Sequence, residues 1–453
     1  MKALGGSGTD IGYAVARDAN GNVMVAGSFS GTVDFGGGPL TSASGHPSMF
    51  VAKYSSSGTP VWSRAVSGSG GSVPAAIAVD GNGDVLVTGS FAGTADFGGG
   101  ALTSTGTADI FLAKYASATG AYLWAQRFGD IANSGFGITA HGNGVAVDSS
   151  NNVLLTGSFQ GVVNFGGSNL SDSSLTTDVF VVKFNAAGVH QWSKNFPNTA
   201  LDSGQAIAVD PSGNVAITGT YTGTVNFGGG NLPAGHGGLN AAFVAEFDPS
   251  GTHLWSRGFF DTTAGTAALS VFGNGVACDS SGNVVITGSF GHTVDFGTGI
   301  LTASGSRDIF LAKYSSSGTP AWTHHYGSVT SNAGGQSSAD AVAIDSGGNI
   351  AIVGVFYNTS LNTGTDFGGG ALLSVGQGDG FVAKYTSAGT FSWAKRYGGS
   401  VADEGRAVAI DGGGNVLVTG NFSGTADFAT HTLTSSAGSS DVFLARLLAD
   451  GSL

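Results

Sequence analysis

A pattern that returns every 62 to 69 residues constrains this chain more than its length does. Gly-Ser-Phe or a variant of it ends at Phe29, Phe91, Phe159, Tyr221, Phe290, Phe356 and Phe422. Asp-Phe or Asn-Phe follows at Phe35, Phe97, Phe165, Phe227, Phe296, Phe367 and Phe428. A third marker, Trp62, Trp124, Trp192, Trp255, Trp322 and Trp393, occurs in six copies where the first two occur in seven. Self-similarity at a fixed period means stacked supersecondary units, none of which buries its apolar face alone.

The second copy shows what one unit contains. Ala76-Ile77-Ala78-Val79-Asp80 is followed by a Gly-Asn-Gly turn, Asp84 to Phe91, a Gly-rich loop through Asp96-Phe97-Gly98, Asp109 to Tyr115, a turn, and Tyr122 to Phe128. Four β-branched and aromatic runs separated by turn residues predict four strands, labelled a to d. About 65 residues with four strands matches a propeller blade, and seven copies lie within the usual range. The expected fold is all-β: a seven-bladed β-propeller over residues 1–453, with strands a starting near 14, 76, 144, 206, 275, 341 and 407. Lys2-Ala3-Leu4-Gly5-Gly6-Ser7 matches Lys395-Arg396-Tyr397-Gly398-Gly399-Ser400. An N-terminal strand d would therefore complete the last blade beside Asp441–Leu447 and close the ring.

Composition narrows the function classes. There are 80 glycines, yet 41% of residues are hydrophobic and only 10% are charged, which is not the makeup of a disordered chain. A net charge of −13 without a Lys/Arg cluster argues against nucleic acid and anionic membrane. No 18-residue apolar run predicts membrane insertion, and Met1–Gly6 is not followed by the apolar core of a signal peptide. Cys278 is alone, so no intrachain disulfide forms.

The motifs Ala-Val-Asp-x-x-Gly-Asn-Val-x-Val-Thr-Gly-Ser-Phe, Thr-Val-Asp-Phe-Gly-Gly-Gly, Asp-Ile-Phe-Leu-Ala-Lys-Tyr and Gly-x-x-x-Trp resemble the SBBP family, seven-bladed β-propeller repeats of large exported bacterial proteins. The resemblance covers nearly the whole chain. It implies an extracellular, periplasmic or cell-surface location, and a module of a longer polypeptide. No Trp-Asp dipeptide ends a strand, which sets the pattern apart from WD40 repeats.

Repeated polar positions have architectural readings. The a–b turn opens on Asp18, Asp80, Asp148, Asp210, Asp279, Asp345 and Asp411, with Gly or Asn to take positive φ. Near the end of strand c, Lys53, Lys114, Lys183, Lys313, Lys384 and Arg446 recur, and an exposed Asp–Lys pair per blade is expected. The fourth copy has Glu246 there with Asp210 retained, which reads as solvated repulsion rather than a cation site. Acids flank the b–c loop as Asp96 and Asp109, Asp295 and Asp308, Asp366 and Asp379, and Asp427 and Asp441. Calcium between them is the one cofactor the pattern admits, and hydrogen bonds to loop N–H groups are the simpler reading.

Departures from the repeat mark candidate binding loops. They are 129–144, 259–275 and 327–340 in d–a connections, and 357–365 in a b–c connection. Blade geometry puts these on one face, with candidate binding residues Asp130, Phe136, His141, Asp202, Asp261, Phe272, Asp340, Asn358, Asp403 and Glu404. No His-Glu-x-x-His, Gly-x-Ser-x-Gly or Walker sequence is present. The expected function is a non-catalytic binding or spacer module taking a protein or carbohydrate ligand on that face. The alternative is a polysaccharide hydrolase or lyase using acids such as Asp130, Asp261 and Glu404.

Overall fold

The computed structural model describes the chain apart from residues 44, 132–137, 173–175, 264–268, 329–335, 358–363, 429 and 437, and the side chain of His236. The described residues form strands and turns, with one 3-10 turn at His236–Gly238. None of them lies in a helix long and apolar enough to cross a membrane. Two compact units divide the chain. The N-terminal unit comprises Leu4–Ile207 and Ser436–Val442, and the C-terminal unit Met1–Ala3, Ala208–Ser435 and Phe443–Leu453.

In the N-terminal unit the first three copies each form an antiparallel sheet in the order a, b, c, d. Their strands are Ile11–Arg17, Val23–Phe29, Ser48–Tyr54 and Pro60–Ala65; then Ser72–Val79, Val85–Phe91, Asp109–Tyr115 and Tyr122–Phe128; then Ala140–Val147, Val153–Phe159, Asp178–Phe184 and His190–Phe196. In the C-terminal unit the fifth copy repeats the order with Phe272–Cys278, Val284–Phe290, Asp308–Tyr314 and Pro320–Tyr326. The sixth does so with Ser338–Ile344, Ile350–Phe356, Asp379–Tyr385 and Phe391–Gly399. Strands Lys2–Leu4, Ser203–Val209 and Ser440–Leu447 are each divided between the units.

Burial follows the sequence pattern. Strands b and c are buried almost throughout, and Asp109–Tyr115 is buried at every position. The aromatic markers knit neighbouring sheets: Tyr314 of strand c meets Trp255 and Phe259 of the preceding copy at centroid distances of 6.0 and 5.9 Å. Tyr326 stacks on Tyr385 at 5.1 Å, and in the N-terminal unit Phe128 stacks on Phe184 at 5.4 Å.

Two expectations are corrected here. The Gly-rich b–c loop holds a two-stranded ribbon, such as Thr94–Asp96 paired with Ala101–Thr103. Gly98 turns it at φ +114°, and Asp96 Oδ1 accepts the Gly98 and Gly100 N–H groups at 2.7 and 3.1 Å. Three-residue arms are too short for alternation to announce them. Strands a also begin earlier than expected, at Ile11, Ser72, Ala140, Ser203, Phe272, Ser338 and Glu404. An inserted residue breaks the alternation near six of these starts, those at Ile11, Ser72, Ala140, Phe272, Ser338 and Glu404, so periodicity becomes legible only beyond it.

Candidate functional site

The inserted residue is a β-bulge. Between strands a and b the register slips by one, leaving Tyr13, Ala75 and Asn143 unpaired in the N-terminal unit. Asn274, Asp340 and Arg406 are the corresponding residues of the C-terminal unit. Strand b permits the bulge because it places Gly opposite: a Cβ on Gly288 would lie 1.9 Å from the Phe272 carbonyl oxygen and 2.9 Å from the Phe310 ring. The repeated Gly of Gly-Ser-Phe is thus required by close approach of strand a.

A bulge re-aims the side chain that it carries. All six bulge residues are half-buried, and the residue two positions earlier is half-buried too, giving the pairs Ile11 and Tyr13, Val73 and Ala75, His141 and Asn143, Phe272 and Asn274, Ser338 and Asp340, and Glu404 and Arg406. Within each unit strands a of successive sheets pack side by side, Ile11–Arg17 against Ser72–Val79, and Ser338–Ile344 against Glu404–Ile410. The backbone position is constant while its side chains change in charge and size.

In the C-terminal unit these positions form a polar cluster. Asn274 Nδ2 donates to Ser338 Oγ and the Ala339 carbonyl, both at 3.0 Å, and Ser338 Oγ donates to Asp340 Oδ1 at 3.2 Å. Arg406 Nε donates to Asn421 Oδ1 at 3.0 Å while its Nη2 contacts Glu404 Oε2. Burial pushes the Asp340 carboxyl up to about 7, with the Arg406 guanidinium opposing and Glu404 adding to the rise. Burial with the Glu404 and Asp340 charges likewise raises the Tyr357 phenol. The Arg307 guanidinium sits 4.4 Å from the centre of the Phe272 ring, a cation–π contact. In the N-terminal unit Asn143 Nδ2 donates to Ser203 Oγ and the Gly204 carbonyl at 3.1 and 2.8 Å. Burial there lowers the His141 imidazole.

Of the expected binding residues, Asp340 is therefore a bulge residue, and His141, Phe272 and Glu404 each stand two positions before one. Phe136 and Asn358 lie outside the described residues. Asp130, Asp202, Asp261 and Asp403 are a different matter, because all four are buried and bonded to nearby chain. Asp403 accepts the Gly399 and Ser423 N–H groups at 2.7 and 3.0 Å, and Asp10 accepts those of Gly6 and Ser30 at 2.7 and 3.2 Å. Asp261 accepts the N–H groups of Thr263 at 2.8 Å and Leu269 at 2.7 Å, and its Oδ2 lies 3.1 Å from His292 Nδ1. Asp130 accepts the Val162 N–H at 3.2 Å, and Asp202 accepts from Asn198 Nδ2 at 2.6 Å. These acids fasten d–a connections; loops of unequal length hid their equivalence from a fixed period.

The acids flanking the b–c connection also have separate partners. Asp295, Asp366 and Asp427 head ribbons as Asp96 does, and Asp295 and Asp366 accept N–H groups of their own Gly turns. Asp109 and Asp379 take Arg127 and Arg396 at 2.5 and 2.6 Å, Asp308 accepts the Ser304 N–H at 2.8 Å, and Asp441 the Ser436 N–H at 3.1 Å. Among the described residues no three His, Cys, Asp or Glu side chains converge as a metal site.

Of the a–b turn pairs, Arg446–Asp411 is the exposed kind expected, at 2.7 Å with Arg446 43% exposed, whereas four lysine pairs are buried. Lys53, Lys114, Lys183 and Lys313 reach Asp18, Asp80, Asp148 and Asp279 at 3.1, 2.7, 2.9 and 2.9 Å with each side chain under 10% exposed. In each of these copies a strand-d Trp is paired opposite the Lys, as Trp124 is opposite Lys114. Lys384 instead donates to the Gly414 carbonyl. Glu246 is fully buried, which overturns solvated repulsion for the fourth copy.

Sequence reasoning missed Tyr13, Asn143, Asn274 and Arg406. The available signal was a variable residue between small ones, Gly12-Tyr13-Ala14, Gly142-Asn143-Gly144, Gly273-Asn274-Gly275 and Gly405-Arg406-Ala407.

Four-stranded antiparallel sheets with strands a side by side define an all-β repeat protein of the β-propeller class. No family model matches the chain. It is 25% identical over 457 residues to an uncharacterized WD repeat-containing protein of Acanthamoeba polyphaga mimivirus, an alignment covering 83% of this chain and 32% of that protein. The chain thus spans about a third of that relative's length. Solved structures similar to it include BamB from Moraxella catarrhalis, at 12% identity and TM-score 0.34 over 77% of this chain and 82% of that one. The Dos1 propeller has 9% identity and TM-score 0.40 over 97% and 92%. Quinohemoprotein alcohol dehydrogenase from Comamonas testosteroni has 10% identity and TM-score 0.39 over 98% and 77%.

Proposed function

We propose that the chain is a non-catalytic interaction module, a closed seven-bladed propeller that recognises a protein segment through the bulge residues of strands a in its C-terminal unit. One observation carries the reading: an invariant backbone device presents side chains as unlike as Tyr13, Asn143, Asp340 and Arg406. A scaffold that keeps its geometry while freeing residue identity at one position is how repeat proteins vary recognition. The WD repeat designation of the viral relative supports an interaction or scaffold role. The SBBP-like motifs extend the proposal to an exported or cell-surface setting within a longer polypeptide, with the long d–a and b–c loops flanking the ligand.

The test is selection of peptide binders from a displayed library, followed by an Asn274→Ala, Asp340→Ala, Arg406→Ala triple variant. Selected peptides should lose binding while the far-ultraviolet circular dichroism and melting temperature stay close to those of the parent. Equal binding by the triple variant removes these residues from recognition and returns the ligand to the loops.

A hydrolase reading has one observation in its favour. The Asp340 carboxyl, held near 7 beside Glu404, resembles the raised general acid of a carboxyl pair. Polysaccharide cleavage that Asp340→Asn abolishes would replace the module by an enzyme.

A further inference from the structure

The fourth copy carries a carboxylate where the other copies carry a cation. Glu246 stands opposite Trp255 across strands c and d, the register that places Lys114 opposite Trp124 and Lys313 opposite Trp322. Asp210 keeps its place in the a–b turn, accepting the Asn214 N–H at 2.8 Å on Oδ1 and Asn214 Nδ2 at 2.9 Å on Oδ2. In the fifth copy Asp279 Oδ2 receives the equivalent Asn283 Nδ2 at 2.8 Å and, in addition, Lys313 at 2.9 Å. The fourth copy lacks that second donor.

Burial makes the substitution consequential. Glu246 is 0% exposed and Asp210 6%, so water does not screen the two carboxylates from each other. Glu246 Oε2 accepts the Trp255 indole N–H at 2.5 Å, whereas Oε1 is buried with no hydrogen-bond partner. A buried carboxylate oxygen left unsatisfied costs free energy that a cation at that point removes. A third oxygen is at hand: Trp255 Nε1 also lies 3.2 Å from the Ser316 carbonyl, gathering that oxygen and the Glu246 carboxylate around one indole nitrogen. The equivalent Ser117 and Ser387 carbonyls accept from Lys53 at 3.2 Å and Lys313 at 3.3 Å, so this carbonyl belongs to the ammonium site of the repeat.

We propose that Glu246 Oε1, Asp210 and the Ser316 carbonyl bind a divalent cation in the place that a lysine ammonium fills in other copies. The donors are oxygens and no three His, Cys, Asp or Glu side chains converge among the described residues, so the site suits calcium, magnesium or manganese rather than zinc. It is independent of the bulge residues and of the acids flanking the b–c connections.

The experiment uses the full chain stripped with a chelator, then given calcium, magnesium or manganese at millimolar concentration. Calorimetric titration should show one saturable site for at least one of the three, and the melting temperature should rise with its concentration, as a ligand of the folded state requires. Glu246→Gln should lose both effects. Glu246→Lys restores the ammonium found in other copies, so it should fold without metal and show no metal-dependent shift. Terbium gives a local readout: with Trp255 bonded to the ligand carboxylate, sensitised emission should appear in the parent and vanish in Trp255→Phe and Glu246→Lys. An unchanged parent melting temperature with all three metals overturns the proposal. So does a shift or terbium emission that persists in Glu246→Lys.

Discussion

Lys53 Nζ lies 3.1 Å from Asp18 Oδ2, with each side chain 5% exposed. Lys53 also donates to Ser117 Oγ at 2.8 Å, so one ammonium joins the a–b turn of its own copy to the c–d turn of the next. The pair works as a buried clasp between repeats, and breaking it strands a charge.

Removing one partner of a buried pair leaves the other uncompensated, at a cost of about 3–5 kcal/mol. Lys53→Met should reduce stability by that order. Arg446→Met should cost only about 0–1 kcal/mol, because Arg446 is 43% exposed over Asp411. Urea unfolding of the two variants tests the contrast, and equal losses would contradict it.

Loop acids give a pH dependence of defined sign. Burial pushes the Asp403 carboxyl from 3.8 up to about 6, against the pull of the Gly399 and Ser423 N–H groups. A folded-state value above the unfolded one means that protonation favours folding, so this contribution is complete below about pH 4 and is lost as pH rises through about 6. Asp411 runs the other way: burial is outweighed by Asn415 and Arg446, its carboxyl falls to about 2, and the stability it contributes is lost as pH falls from about 4 toward 2. Asp403→Asn should therefore flatten the melting temperature between about pH 4 and 6. Parallel curves for variant and parent across that window would refute the assignment.

Gly288→Ala should be costly. Its Cβ would press on the Phe272 carbonyl and the Phe310 ring, and relief requires strand a to move at the Asn274 bulge. Overpacking of this kind costs about 1–3 kcal/mol. A stability within experimental error of the parent would show that the bulge yields freely.

Asp261→Ala separates a loop clamp from a recognition residue. It leaves the Thr263 and Leu269 N–H groups without their carboxylate, each unsatisfied buried group costing about 1–3 kcal/mol. Arg406→Ala, whose partners Asn421 and Glu404 belong to neighbouring strands of one sheet, should alter binding more than stability. Thermal melting ranks the two, and the reverse order would exchange the roles.

Strand runs and the a–b turn Asp were legible because each depends on backbone chemistry within a few residues: alternation, positive φ, a carboxylate reaching an N–H four positions on. Asp80 capping Asn82 and Asp84 at 2.9 Å is such a case. His141, Phe272, Asp340 and Glu404 were reached only as departures from a period, beside Asp130, Asp202, Asp261 and Asp403, which look alike in sequence and do different work. For Asp340 the local sign that it sits on a bulge was its place between two small residues, Ala339 and Ala341.

The repeat and its residue types pointed to a four-stranded unit and to where its turns fall, since these follow from short-range sterics repeated along the chain. The tertiary structure decided which polar groups are buried and what faces them. Glu246 is indistinguishable from a solvated acid until Trp255, nine residues away, and Ser316, in the next copy, close over it. Burial sets the dielectric in which a charge must be balanced, and burial is a property of contacts between strands far apart in sequence.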